Sequence, residues 1–432
     1  MLVPLTLLLA TPPLLRALAM GESEREALAL MDVPPAPLPG DNAFLWLATE
    51  SHDVPEAELQ AAINEDNEAF KKYLDDYAAN PPARGTEPRL YQPLEQSRYP
   101  ARRPLVLGDE ACQLGLGGSR CLDVVRTNPA ATRYLIDAES GRMESARRAL
   151  ASGHVADTYP DFAPYLTWDP IALELTASAL EAVEGRVPSA LQRTCGLLAW
   201  ARTLSTNSSP FHVRTQAWSV REAASSLLLD LRRSHPDVPL SPACRDAVAP
   251  AAPAEFDLCE MARAEFRSHL RLQSRLPAGG NGVERLVRRM GGFYFSDEPL
   301  GKAWLAQRHA PFCRDGARQA LAAGSRVAPR SDFVPTPLAC IAATQQCPVM
   351  KMPYMYRSSL TRGWSQITNA HATQQLLDAA HARLDRGGTG AAPDIPGYEV
   401  REDAAAQTWT IDLRFGNDGS GEHTVRLATA SD

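Results

Sequence analysis

Glu50, His52 and Asp53 are the residues whose types and spacing come nearest to acid–base chemistry, because a carboxylate beside a histidine orients the ring and tunes its proton affinity. Neighbours on a helix face different directions, however, and Asp53 directly before Val54-Pro55 has the position of a helix cap. Capping and surface roles are therefore expected, and a catalytic trio requires a fold that brings a further buried carboxylate to the same pocket. Gly115-Leu116-Gly117-Gly118-Ser119 could cradle an anion, but a phosphate loop needs a preceding strand, a following helix and a lysine, and the glycines fit a tight turn better. The nine histidines show no His-x3-His or His-Glu-x2-His spacing, so no metal site is expected from them. Met350-Lys351-Met352-Pro353-Tyr354-Met355-Tyr356 suits loop packing ahead of a soft-metal site. Gly-x-Ser-x-Gly is absent, which removes the commonest serine-hydrolase signature. No cofactor is expected.

The elements that must position any such group follow from composition. The chain has 432 residues, 44% hydrophobic and 22% charged, which is ordinary for a folded chain of two to three domains with a full core. A net charge of -7, with arginines scattered through helical stretches, offers no electrostatic pull toward nucleic acid. Thirty-five prolines fall mostly between apolar periodic segments, as helices punctuated by turns require.

Residues 2–19 carry no acid and one base, Arg16, then give way to polar sequence at Gly21-Glu22-Ser23-Glu24. That profile predicts a signal-like or membrane-anchor segment over 1–20, with a small-x-small site at Ala17-Leu18-Ala19 permitting cleavage after Ala19 or, uncleaved, contact with the inner membrane. The competing reading is an N-terminal helix buried in a cytosolic core. Residues 21–40, with Val33-Pro34-Pro35-Ala36-Pro37-Leu38-Pro39-Gly40, read as a proline-rich spacer.

Eight cysteines form an even set with no C-x2-C, pointing to disulfides in an oxidising compartment ahead of metal knuckles or buried reduced thiols. Cys112 and Cys121 bracket the glycine-rich turn, and Cys340 and Cys347 a second short loop. Cys244 and Cys259 suit a staple across a helix–helix turn, which leaves Cys195 and Cys313 as a long-range pair.

The expected fold class is mainly α: an irregular antiparallel helical array with a small C-terminal antiparallel β-meander. An N-terminal helical region with its disulfide loop covers 41–165 and includes a helix from Pro129 to Ala151, with Asn128 as its cap. The array covers 166–387, its clearest members being 170–183, 188–204, 213–233 and 253–272, each begun by proline or a polar cap. Leu191, Cys195, Leu198 and Ala201 form one core stripe, and Val220, Ala223, Leu227 and Leu231 another. Further helices are expected over about 300–323 and 371–386. Beyond Gly387-Gly388, alternation at 398–400, 408–415 and 423–427 predicts strands over 388–432 that must pack on the helices.

At Gly40-Asp41-Asn42-Ala43-Phe44-Leu45-Trp46-Leu47 with His52-Asp53-Val54-Pro55, at Arg120-Cys121-Leu122-Asp123-Val124-Val125-Arg126, and across Cys244 to Glu265, the chain resembles exported helical proteins of Gram-negative bacteria that have no assigned activity. The resemblance implies export to the periplasm and a helical architecture, and it assigns no functional residue. The expected function is a non-catalytic envelope role, binding or inhibitor-like, toward an envelope protein or cell-wall component. A periplasmic hydrolase with an active site assembled from distant residues is the alternative.

Overall fold

The structure, a computed structural model, describes residues 20–79, 91, 94, 97–115, 121–156, 166–208, 211–275, 298–325, 327–329, 359–387, 390–403, 408–415 and 421–428. It is mainly helical with a small antiparallel sheet near the C-terminus. The apolar segment 1–19, Cys340 and Cys347, the methionine-rich stretch 350–356 and nearly all of the glycine loop after Gly115 lie outside the described residues.

In chain order the helices are α1 (Glu22–Met31), α2 (Phe44–Ala48), α3 (Leu59–Ala79), α4 (Cys121–Thr127), α5 (Pro129–Ala138), α6 (Ser140–Leu150), α7 (Asp169–Val183), α8 (Val187–Asn207), α9 (Phe211–Ser234), α10 (Pro242–Ala247), α11 (Leu258–Arg275), α12 (Glu298–His309), α13 (Asp315–Ala322), α14 (Ser359–Arg362) and α15 (Trp364–Asp385). Their starts obey local chemistry. Asn128 accepts from the Ala131 amide at 3.2 Å and Ser241 from the Cys244 amide at 3.2 Å, each ahead of a proline that has no amide to leave orphaned.

Helix α7 is apolar on almost every side and is buried accordingly, between α4 and α6 on one flank and α8 on the other. Its polar residues are satisfied internally: Thr176 accepts the Cys112 amide at 2.9 Å, and buried Glu174 takes Arg147 Nε at 2.9 Å together with Arg193. The core around it joins Phe44, Leu122 and Ala146 to Ile171, Leu198 and Leu227, so it draws on both sides of residue 166. A second core gathers Ala27 and Met31 of α1, Trp218 of α9, Phe266 of α11, Leu305 of α12 and Trp364 of α15. A third lies between α15 and the sheet. Helix α9 contributes to all three, through Leu228, Trp218 and Leu229 respectively, and acts as the common spine.

The sheet has order β1 (Val400–Asp403), β2 (Thr408–Phe415), β3 (Gly421–Ala428), with Val400 opposite Ile411, and Trp409 and Ile411 opposite Leu427 and Val425. Its period of two places Trp409, Ile411, Leu413, Val425 and Leu427 against Leu376, Leu377 and Ala380 of α15. Arg383 lies over the Trp409 ring at 5.0 Å and pairs with Glu402 at 2.8 Å, fixing the sheet's edge to the helix.

Several expectations are corrected. Residues 22–31 are helix α1, seated against α12 with Lys302 Nζ 2.6 Å from Asp32 Oδ2, so only 33–40 is spacer-like and largely exposed. The helix expected over 129–151 breaks at Glu139, and that over 300–323 is interrupted by a 3-10 turn, Ala310–Cys313, where Pro311 supplies no amide. Another 3-10 turn, Pro253–Phe256, precedes α11, and α15 starts at Trp364, seven residues before the expected 371.

Of the disulfides, Cys112–Cys121 forms as expected. The pairs Cys244–Cys259 and Cys195–Cys313 do not; the bonds are Cys195–Cys244 and Cys259–Cys313. Proximity in sequence misleads here because α10 folds back along α8, bringing Cys244 to Cys195 in the first core. Cys259, at the start of α11, meets the Ala310–Cys313 turn at the edge of the second.

Candidate functional site

The structure disperses Glu50, His52 and Asp53. Glu50 points inward, 4% exposed, with Arg142 Nε 3.1 Å from Oε1 but not aligned as a hydrogen bond. Burial holds its pKa above the usual carboxylate range against the pull of Arg142 and Arg102, and burial likewise raises nearby Asp169. His52 is half-buried with Nδ1 2.9 Å from Ser51 Oγ, and burial lowers its pKa. Asp53 is 61% exposed and accepts from Arg102 Nε at 2.6 Å. It caps nothing, since the Glu56–Glu58 turn begins from Pro55 with no side-chain cap.

Arg102 is the residue that organises this loop. Its amide donates to the Ser51 carbonyl at 2.8 Å, and its guanidinium reaches both the Glu50 carbonyl at 3.4 Å and Asp53. The result is a strap between 50–53 and 100–102, and acid–base geometry does not arise from it.

A cavity of about 550 Å³ lies elsewhere, where α9 ends, the 235–250 segment turns and α15 passes. Pro236 and Pro239 prevent α9 from continuing, so the chain swings outward before α10 returns it to α8. There Cys195–Cys244 ties α10 down, and Arg202 donates to the carbonyls of Asp246 at 3.0 Å, Ala247 at 3.3 Å, Ala249 at 2.6 Å and Pro250 at 3.1 Å. This wall offers Pro236, Val238, Pro239, Leu240, Val248 and Pro250, while α15 opposes it with Asp378, His381, Ala382 and Asp385.

Behind the wall runs a buried ionic network. Glu255 takes Arg202 at 3.0 Å and Arg221 closer still, and Arg221 reaches toward Asp378 at 3.9 Å. Asp378 also accepts the Ala251 amide at 3.0 Å and Gln374 at 2.7 Å, and its pKa is raised by burial. His381 is 3% exposed, with Nδ1 3.2 Å from Arg232 Nη1. A guanidinium can only donate, so Nδ1 accepts and the ring proton sits on Nε2. That Nε2 is buried and has no hydrogen-bond partner among the described residues.

A histidine pair, His269 Nδ1 and His309 Nε2 at 3.1 Å, lies beside Phe266 of the second core with Glu265 3.7 Å from His309. Among the described residues no group of three His, Cys, Asp or Glu could hold a metal ion, and no helix is long and apolar enough to cross a membrane. No family model, curated protein or solved structure matches this chain.

His309 and His381 set the strongest pH dependence among the described residues, and burial lowers His52, His212 and His371 in the same direction. Burial holds His309 down to about 4, and burial with Arg232 and Arg221 holds His381 down to about 3, from an ordinary 6.5. Below 6.5 the unfolded chain therefore binds protons that the folded chain refuses, so stability falls as the pH drops from 6.5 toward 4 and is insensitive to these groups above 6.5. The slope is about 1.4 kcal/mol per pH unit per histidine. Glu50, Asp169 and Asp378 act with the opposite sign at the acid end, because their raised values let the folded state bind protons first. Urea unfolding at pH 7 and pH 5 should differ by about 2 kcal/mol for each histidine, and His309→Phe should remove its share. A midpoint indifferent to pH over that interval would refute neutral burial.

Proposed function

We propose that this is an exported, non-catalytic binding protein of the periplasm that holds an envelope component in the cleft between α15 and the 235–250 segment. The observation that carries the reading is the cleft itself: a cavity of about 550 Å³ with a disulfide-anchored apolar wall facing a charged helix. The three disulfides among the described residues are compatible with an oxidising compartment and support export. A hydrolase centred on Glu50, His52 and Asp53 has less support, because Glu50 is buried against Arg142 and the other two turn to Ser51 and Arg102.

Native mass spectrometry of protein released from the periplasm by osmotic shock tests the reading. Wild type should carry a co-purifying mass, and Ala382→Phe, which fills the cleft from the half-exposed face of α15, should lose it while keeping the same unfolding midpoint. Failure to recover the protein from the periplasm, or an adduct indifferent to Ala382→Phe, would count against it.

A further inference from the structure

Resting on the cleft reading, we infer that the ligand class is a monocarboxylate with a hydrocarbon body, matched to an arginine that has no carboxylate partner among the described residues and to one unpaired imidazole N–H beside an apolar wall. The charge follows from the partners. Asp385 is taken by Arg232, and Asp378 by the Ala251 amide, Gln374 and Arg221, while Glu255 is shared by Arg202 and Arg221. Arg245, exposed at the cleft, donates only to the Leu240 carbonyl at 2.7 Å and has no acidic partner among the described residues. Of the charged residues that line the cleft, Arg232 is matched by Asp385 and Asp378 is held from behind by Arg221, so Arg245 is the lining charge that a ligand carboxylate would pair.

His381 adds the donor. It lines the same cleft, and its Nε2–H is without an acceptor among the described residues. A buried donor left unpaired costs about 1–3 kcal/mol, which a ligand oxygen would recover. Pro236, Val238, Leu240 and Val248 present hydrocarbon to hydrocarbon, so a purely polar anion such as phosphate would leave that wall unused.

The test is isothermal titration of the oxidised full chain with octanoate and with 1-octanol, which share a body and differ in charge. Octanoate should bind at least tenfold tighter than octanol. Arg245→Gln, an exposed substitution that spares the core, should bring the two within about twofold, and raising the salt should weaken octanoate alone. In protein labelled with 15N-histidine, octanoate should shift the His381 Nε2 resonance, a readout that needs no variant. Equal affinity for acid and alcohol, or a preference that survives Arg245→Gln, would overturn the carboxylate assignment while leaving the cleft reading intact. Absence of binding by both, with a co-purifying mass still displaced by Ala382→Phe, would overturn this ligand class alone; absence of that mass as well would overturn both.

Discussion

Glu255→Gln is expected to destabilise the protein by about 3–5 kcal/mol, measured as a fall in urea-unfolding free energy. Glu255 is 1% exposed and Arg221 2%, and the carboxylate is the shared counter-charge of Arg221 and Arg202. Removing it strands a fully buried guanidinium whose Nε has no partner among the described residues, with Asp378 3.9 Å away as compensation. Glutamine keeps a single acceptor oxygen, for which the Ala252 amide and Arg221 then compete. Arg221→Met combined with Glu255→Met should cost clearly less than the two single changes added together, since neither member of the fully buried pair is left charged, while Arg202, 19% exposed, keeps its carbonyl acceptors. Additive single effects would mean that the pair is not coupled and that solvent reaches the site.

The second large effect belongs to the Cys195–Cys244 bond. It closes a sequence separation of 49 residues, against 9 for Cys112–Cys121. In the chain-entropy account the longer closure stabilises by about 4 kcal/mol and the shorter by about 2.7. Paired alanine substitutions should therefore rank Cys195/Cys244 above Cys112/Cys121 in cost, with denaturation run in the absence of reductant. The consequence is also local. This bond anchors α10, the wall of the cleft, so its removal should weaken cleft binding beyond the stability lost, whereas Cys112/Cys121 removal should leave binding unchanged. The reverse order of costs, or equal effects on binding, would disconnect the disulfide from the cleft.

Much of the fold is legible before any contact is known. Pro170 and Pro188, with Asn128 as a cap, announce helix starts that the structure reproduces within a few residues, because capping and the missing proline amide act within one turn. The strand over 408–415 is equally plain, since alternation of Trp409, Ile411 and Leu413 with polar neighbours states both the period and the buried face. The interruptions at Glu139 and Pro311 were harder to read, as apolar periodicity continues across them.

The candidate site is another matter. Glu50, His52 and Asp53 attract attention by adjacency, yet adjacency is what sends their side chains to Arg142, Ser51 and Arg102. Arg202, Arg221, Arg232, Arg245, Glu255, Asp378 and His381 carry no spacing signal, being spread over more than 170 positions on five elements. The only hint is their setting: Arg221 and His381 fall within otherwise buried helical faces, where a charge or ring must find a partner.

The amino-acid sequence by itself determined the helical class, the C-terminal meander, the capping residues and the short Cys112–Cys121 loop, because propensity, periodicity and turn chemistry are local and survive without knowledge of neighbours. Only the tertiary structure decided that Cys195 joins Cys244, that α1 leaves the spacer to pack on α12, and that a cleft opens beside His381. Those features depend on which helix faces lie against one another, and that is settled by burial summed over distant segments, a quantity no local stretch of chain contains.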